Sequence, residues 1–356
     1  MNSIRLLDLG LIPPLQTQAI YHALAENLTI DSPDTIILCR PSTPYLCLGY
    51  HQVFENTFNK DECARRGLPV LRRRLGGGAT YLDKNQIFYQ CVFHHSRMPA
   101  MLKDIYASLL SAPVSVLRGL GLHCELRDTN EIEVDGRRIA GTGGGRIDEA
   151  CVIVGNILLD FDFESMTSVW NTPSESFRAL AEQALRERLV TLNDYRKEIS
   201  YETLAEMLAE EFSRSLGRPV QLGALTDEEI QSANEVAKEL TADSFLSLHK
   251  EREEAGALTK LKISARAFIH ADEMQLGEFK LYGSFLVSSD LIQEAILESQ
   301  PANDWSFLQE QLRGAALSKW KEQILFATRS GRSLTSVAAQ ESAEYAPNAR
   351  CITDVL

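Results

Sequence analysis

The segment Arg72-Arg73-Arg74-Leu75-Gly76-Gly77-Gly78-Ala79-Thr80-Tyr81 carries the residue types most able to do chemistry. Three glycines behind a basic triplet form a loop that can bring backbone N–H groups close to an anion. Arginines beside it can clamp a carboxylate or phosphate through two parallel hydrogen bonds. The spacing is not that of a P-loop or of a dinucleotide-binding fingerprint. A glycine-rich turn with surface arginines is the plain alternative. Further along, Asn130-Glu131-Ile132-Glu133-Val134-Asp135-Gly136-Arg137-Arg138-Ile139-Ala140-Gly141-Thr142 reads as a hairpin turning at Asp135-Gly136. Its basic pair is followed by Ala140-Gly141, small enough for backbone to pass close to a ligand. Gly143-Gly144-Gly145 adds a second glycine run, read as another anion-binding turn.

His94-His95 invites a metal reading, but adjacent strand residues face opposite sides and rarely ligate one ion together. With no acidic or cysteine partner at ligand spacing, a strand-end surface position is expected. The seven cysteines are scattered without a CxxC pair. They read as reduced and structural in a cytosolic chain rather than as a disulfide framework or zinc site. No Ser-His-Asp arrangement can be argued.

In their order along the chain, these segments resemble the lipoate–protein ligase A family of the biotin/lipoate A/B protein ligase superfamily. The family's RRxxGGGxxxHD-like loop matches Arg72-Arg73 and Gly76-Gly77-Gly78 with Asp83. Its ND…dGrKisGsA hairpin matches Asn130-Glu131 and Gly136 to Thr142, and its HGtlLl strand matches Gly155-Asn156-Ile157-Leu158-Leu159. Pro14 to Ala19, Cys39-Arg40-Pro41, Leu48 to Gln52 and Arg188 to Leu192 fall on further family signatures. Gly277-Glu278-Phe279 and Gly283-Ser284-Phe285 match its accessory domain loosely.

The resemblance implies ATP-dependent activation of lipoate or octanoate, then transfer to a lysine of a lipoyl carrier domain. Such carriers are a 2-oxoacid dehydrogenase acyltransferase subunit or a glycine-cleavage H protein. It places Arg73 on the carboxylate or phosphate, Gly76, Gly77 and Gly78 along the nucleotide, and Thr80 and Tyr81 beside the adenine. Asn130 and Glu131 would serve phosphate and Mg2+. Four positions depart from the pattern. The family lysine is Arg138, two histidines are Leu82 and Val154, and an aspartate is Glu131. Arg146 lies one position from a further phosphate-contacting arginine. These departures leave three readings: a divergent ligase in which Arg138 takes the lysine's part, a noncatalytic homologue binding lipoyl or acyl carriers, and a cysteine-dependent octanoyltransferase using Cys124 or Cys151.

The elements that must position these residues are read from periodicity. Thr35–Cys39 and Tyr45–Gly49 read as a hairpin of buried strands; Gln86–Phe93, Glu131–Val134, Ala150–Val154 and Ile157–Leu159 are further strands. Gln16–Leu28, Leu102–Leu120, Ser176–Leu185, Tyr201–Leu216 and Asp227–Lys238 have helical spacing, the last capped at Thr226. Lys260–Ser264 and Glu278–Tyr282 read as strands and Ser289–Glu298 as a helix. The fold expected is α+β, a mixed, largely antiparallel sheet packed with helices over 1–245. A small α+β accessory domain follows over 250–330, after a linker at Glu251–Gly256, with a tail over 331–356. A net charge of −13 argues against sequence-independent nucleic-acid binding. No apolar run approaches the ~20 residues that span a bilayer, so the expected setting is the cytoplasm.

Overall fold

The computed structural model describes residues 3–127, 129–249, 259–264 and 266–329. The expected linker at Glu251–Gly256 and the tail over 331–356 lie outside them. The chain divides into two compact units, Met1–Asn171 with Leu185–Ala257, and Thr172–Ala184 with Leu258–Leu356.

Up to the end of the sheet, the first unit runs β1 (Ile4–Ile12), α1 (Pro14–Glu26), β2 (Thr35–Pro41), β3 (Tyr45–Leu48), α2 (Phe54–Thr57), α3 (Lys60–Arg65), β4 (Val70–Arg72), β5 (Thr80–Leu82), β6 (Gln86–His94), α4 (Leu102–Gly119), β7 (Cys124–Arg127), β8 (Glu131–Val134), β9 (Arg137–Ile147) and β10 (Ala150–Leu158). Then come α5 (Phe163–Ser168), α6 (Glu175–Arg188, divided between the units), α7 (Tyr201–Leu216), β11 (Val220–Leu222), α8 (Asp227–Leu240) and α9 (Asp243–Leu246).

Eight strands form one sheet in the order β11-β1-β2-β6-β10-β9-β8-β7. β1 is parallel to β11 and β2, and all other neighbours are antiparallel, so the sheet is mixed and largely antiparallel as expected. Both faces are covered. Ile36 and Leu38 enter a core shared with Leu109, Leu117, Leu208 and Phe212 of α4 and α7. Their neighbours Ile37 and Cys39 enter a second core with Ala19, Ile20, Val236 and Leu240 of α1 and α8. Double coverage is why β2 reads as an unbroken apolar run. The α8 cap is a full capping box between Thr226 and Glu229. Glu229 also takes both ends of the Arg5 guanidinium, at 3.0 and 2.6 Å, tying the helix start to β1.

β2 and β3 do not form the expected hairpin. β2 joins the large sheet, while β3 pairs with β4 and β5 in a separate three-stranded sheet. All four β3 residues are buried, and β4 offers that apolar strand a parallel partner that its sequence neighbour does not. The segments 150–154 and 157–158 form one continuous strand, β10, through Gly155 and Asn156, and Leu159 lies just past its end.

The second unit is built on an antiparallel meander, β12 (Lys260–Lys262), β13 (Ala267–Leu276), β14 (Phe279–Ser288) and β15 (Leu291–Gln300), with α10 (Ser306–Leu312) and α11 (Trp320–Arg329). Its core includes Leu281, Phe285, Leu297, Trp305 and Trp320. β15 corrects the expected helix at Ser289–Glu298. Ser289 and Asp290 both take positive φ, 51° and 61°, and form the two-residue turn that launches a hairpin. Strand pairing then overrides the helix preference of Gln, Glu, Ala and Leu. Among the described residues no helix is long and apolar enough to cross a membrane.

At one end of the large sheet, the fully buried Asp34 carboxylate receives Arg97 Nε at 3.0 Å, Arg218 Nη1 and the His94 backbone N–H at 2.9 Å. Arg97 also donates to the carbonyls of Ile30 and Ser32. This cluster ties β2, β6 and the entry to β11 together. Asp34→Ala would leave two half-buried guanidinium groups without their anion, and losing one partner of a buried pair costs about 3–5 kcal/mol. Urea unfolding should show the midpoint falling accordingly; an unchanged midpoint would mean the cluster adds nothing.

Candidate functional site

The small sheet β4-β3-β5 presents two loops side by side, residues 49–52 after β3 and 73–79 after β4. Arg73 N–H donates to Leu48 O and Tyr50 N–H to Leu75 O, each at 3.0 Å. Arg72 is fully buried and touches no carboxylate among its hydrogen-bond partners. Its guanidinium reaches Gly49 O, Tyr50 O and Gln52 O on one side and Phe245 O, Leu246 O and Leu248 O on the other, over 2.6–3.2 Å. Burial presses its pKa down from the ordinary value, and the Glu55 carboxylate opposes that shift. Arg74 pairs with Glu26 and, at 2.6 Å, with Glu239, which fastens the loop to α1 and α8.

Arg73, the expected anion clamp, donates within its own loop to Gly76 O from Nε and Nη2 and to Gly78 O at 2.8 Å, and reaches Cys47 O of β3 at 3.4 Å. An anion-holding role would require exchanging those carbonyls for ligand. The consequence lies on the far side of each peptide. N–H and C=O of a trans peptide point opposite ways, so drawing Gly76 O and Gly78 O inward turns the Gly77 and Ala79 N–H groups outward. Among the described residues these N–H groups donate to nothing. Gly77 has φ 100°, open to glycine but strained for other residues. A Cβ on Gly49 would lie 2.0 Å from Gly77 O, so that position too is confined to glycine by the loop's approach.

The second glycine run is not a turn. Gly143, Gly144 and Gly145 lie within β9, paired with Val154, Ile153 and Val152 of β10. Their missing side chains let other groups approach: a Cβ on Gly143 would be 3.9 Å from Gly76 O, and one on Gly145 3.3 Å from Leu75 Cδ2. Two glycine segments far apart in sequence therefore face each other. Gly155 plays a similar part on β10, where a Cβ would fall 2.3 Å from the Tyr89 ring. Tyr89 crosses that gap to meet Thr142 Oγ1 at 3.0 Å.

Around Thr142 the hairpin residues assemble. Asn130 Nδ2 donates to Thr142 O at 2.9 Å, and Glu131 lies opposite Gly141 across the strands. A bulge leaves Ile139 unpaired between Ala140, opposite Ile132, and Arg138, opposite Glu133. Such a bulge re-aims the neighbouring side chain. Arg138 Nη1 reaches the buried Glu131 carboxylate at 3.4 Å. Asn156 accepts from Gly141 N–H at 3.1 Å and donates to Gln86 at 2.7 Å, and Gln86 donates to Tyr81 O at 3.1 Å. This relay connects β9 to the strand after the glycine loop, where Thr80 is exposed and Tyr81 is buried beside Phe161. Asp83 is buried and receives Asn85 N–H at 2.9 Å, and burial raises its pKa. Leu82 and Val154, at the two family-histidine positions, pack into or against the α1-side core.

The structure sets Gly76 near Gly143 and groups Asn130, Glu131 and Arg138 within the β8–β9 hairpin, and it leaves other expected residues apart. Arg146 is exposed at the end of β9, donating to Asp148 O at 2.7 Å. Cys124 is buried in β7 with its thiol on Val114 O at 3.3 Å, and Cys151 is buried in β10. Burial raises both thiol pKa values. The six described cysteines are unpaired, and Cys351 lies outside the described residues. His22 was not foreseen. It is buried on α1, and its Nε2 accepts the Arg74 N–H at 3.4 Å. A histidine mid-helix gives no local sign of that role.

Burial, then the Arg74 charge, lowers the His22 pKa to about 3 from 6.5. The unfolded chain therefore binds this proton first. The stability from neutral His22 is complete above about pH 6.5 and is lost as pH falls from there toward 3. Unfolding midpoints measured from about pH 7 down to about pH 5 should decline, with a shallower slope in His22→Gln. Equal slopes would remove His22 from the acid response. Gly49→Ala should displace Gly77 and its loop while leaving the sheet folded. A misplacement near 1 Å costs roughly 100-fold in rate, which steady-state kinetics beside circular dichroism would reveal.

The family described as Lipoyl protein ligase A/B catalytic domain matches residues 13–213. An octanoyltransferase LipM of Kyrpidia tusciae is 27% identical over 271 residues, covering 65% of this chain and 98% of that relative. The bipartite lipoate protein ligase of Thermoplasma acidophilum, described with its E2 lipoyl domain, has a similar fold. Its TM-score is 0.64 at 22% identity, covering 70% of this chain and 97% of the other. A lipoate-protein ligase A bound with ATP gives a TM-score of 0.60 at 22% identity, over 69% of this chain and 99% of that one.

Proposed function

This chain belongs to the lipoyl protein ligase A/B catalytic-domain family, and we propose that it activates lipoate or octanoate with ATP and passes the acyl group to a lysine of a lipoyl carrier domain. The observation that carries this reading is the glycine loop. Its Gly77 and Ala79 N–H groups face away from Arg73 and donate to no described residue, and the loop's Gly76 O lies near the side-chain-free strand at Gly143. Unspent backbone donors at a glycine cradle fit an anionic, phosphate-bearing ligand.

ATP supplies the leaving group that makes a carboxylate oxygen displaceable. On this reading, the N–H groups of the loop hold negative charge on the phosphate, and Gly76, Gly77 and Gly78 line the nucleotide. Thr80 and Tyr81 offer backbone to the adenine. Arg73 acts chiefly by folding the loop. Arg138 faces the charge that develops at the acyl carbonyl and bridging oxygen, held in line by Glu131. Asn130 and Glu131 are the residues that would hold Mg2+, and Glu131 would then divide its carboxylate between the ion and Arg138. The relatives compared include a ligase described with its E2 lipoyl domain. A partner of that class, from a 2-oxoacid dehydrogenase or resembling a glycine-cleavage H protein, fits this chemistry in the cytoplasm.

The octanoyltransferase name of the Kyrpidia tusciae relative favours a second reading, transfer through a cysteine thioester. That route needs an accessible thiolate. Cys124 and Cys151 are buried with their thiols pushed up, so the adenylating route is preferred.

Purified protein mixed with ATP, Mg2+ and either lipoate or octanoate should release pyrophosphate only when the acid is present. Arg138→Ala should lower that rate by roughly 100–1000-fold, as when one transition-state donor is removed. No release with either acid, in protein shown to be folded, would redirect the assignment to thioester transfer or to carrier binding without catalysis.

A further inference from the structure

We propose that His94, His95 and Glu149 form a binding site for a divalent transition-metal ion, with Zn2+ the ion it suits best. The two histidines were expected to face opposite sides of a strand, with His94 at the surface. Instead His94 is buried and the strand ends there. With φ −65° and ψ 130°, His94 caps a 3-10 turn over His95–Arg97, and strand alternation stops at that residue. The two rings stack, with centroids 4.8 Å apart and planes 25° apart. Glu149 arrives from the turn between β9 and β10, next to Asp148 with φ 45°. The His95 N–H donates to Glu149 O at 2.9 Å, which fixes that turn against the histidines.

The ligand atoms are already gathered. His95 Nδ1 lies 3.1 Å and His94 Nε2 3.8 Å from Glu149 Oε2, and one ligand atom from each residue falls within 4.8 Å of the others. Tetrahedral zinc with bonds of about 2.0–2.2 Å sets its ligands roughly 3.3–3.5 Å apart, so small side-chain rotations close the set. His94 Nδ1 meets Ser96 Oγ at 2.7 Å. Ser96 N–H also donates to Nδ1 at 3.3 Å, so binding a metal through Nε2 would require Nδ1 to carry the ring proton, donate it to Ser96 Oγ and give up that backbone contact. Arg146 Nη2 approaches the other carboxylate oxygen, Oε1, at 3.6 Å. Binding would take His95 Nδ1 from its 3.1 Å contact with Glu149 O. Two imidazoles and one carboxylate suit Zn2+, Ni2+ or Cu2+ rather than Mg2+ or Ca2+, which prefer all-oxygen shells. A fourth position would be left to water. None of these residues belongs to the glycine-loop cluster.

The test uses untagged, full-length protein freed of metal and titrated with Zn2+ by calorimetry and with Co2+ by visible absorption. One equivalent of each should bind, with Co2+ showing the intense bands of tetrahedral coordination. His95→Ala and Glu149→Gln alter exposed side chains, so the fold should persist. Each should weaken binding by at least tenfold and abolish the rise in thermal midpoint that Zn2+ gives the unaltered protein. Absence of saturable binding, or binding unchanged in both variants, would overturn the proposal. Pyrophosphate release should be the same in both variants and in the parent protein, which separates this site from the acyl chemistry.

Discussion

A single buried guanidinium organises the loops on which the proposed acyl site depends. Arg72 carries a fixed positive charge into a place without solvent, and six backbone carbonyls from residues 49–52 and 245–248 answer it. The planar fork of arginine suits this geometry because its donors diverge toward both segments at once, which a lysine ammonium could not reproduce. Once residues 49–52 are held this way, Gly49 sits against Gly77. Arg73 then draws the carbonyls of Gly76 and Gly78 inward. The result is a loop whose polarity is sorted, with carbonyls toward arginine and the Gly77 and Ala79 N–H groups turned away from it.

On the proposed function, that sorting would let a strongly acidic protein receive an anionic substrate. With a net charge of −13, attraction at long range is unavailable, and affinity must come from donors placed at short range. Backbone N–H groups serve well because they carry no counterion and need no reorganisation at the moment of reaction. The β9 strand contributes by omission, since Gly143 and Gly145 remove the side chains that would stand between the sheet and the loop. Arg138 stands where the family pattern has lysine. Its place beside the bulge at Ile139 and its contact with Glu131 hold a larger, planar cation in a set direction.

The scaffold distributes rigidity accordingly. The large sheet is covered on both faces, and the Asp34 cluster ties β2 to β6 and to the entry of β11. Loops and strand ends carry the chemistry, where backbone can leave the regular ladder. The same departure from regularity brings His94 and His95 to one side, because a residue that ends a strand is no longer bound by the alternation of faces.

Much of this was legible in the residues alone. The helices at Leu102–Gly119, Tyr201–Leu216 and Asp227–Leu240 follow from apolar periodicity and from the Thr226 cap. The strand at Gln86–His94 follows from its apolar run, and Asp135-Gly136 marks the β8–β9 hairpin, where both positions take positive φ. The glycine loop and the hairpin with Asn130, Glu131 and Arg138 were also visible, as ordered motifs. Only the tertiary structure decided what those motifs meet. β3 left β2 for a different sheet, and Leu291–Gln300 became a strand because the positive-φ turn at Ser289-Asp290 and pairing with β14 outweighed local helix preference. The glycine run at 143–145 proved to be strand, since pairing with β10 fixes its backbone where composition alone points to a turn. Arg73 turned to its own loop, and His22 and Glu149 entered clusters drawn from distant segments. Local sequence determines which conformations each segment favours; which donors and acceptors are left over depends on contacts between segments far apart in the chain.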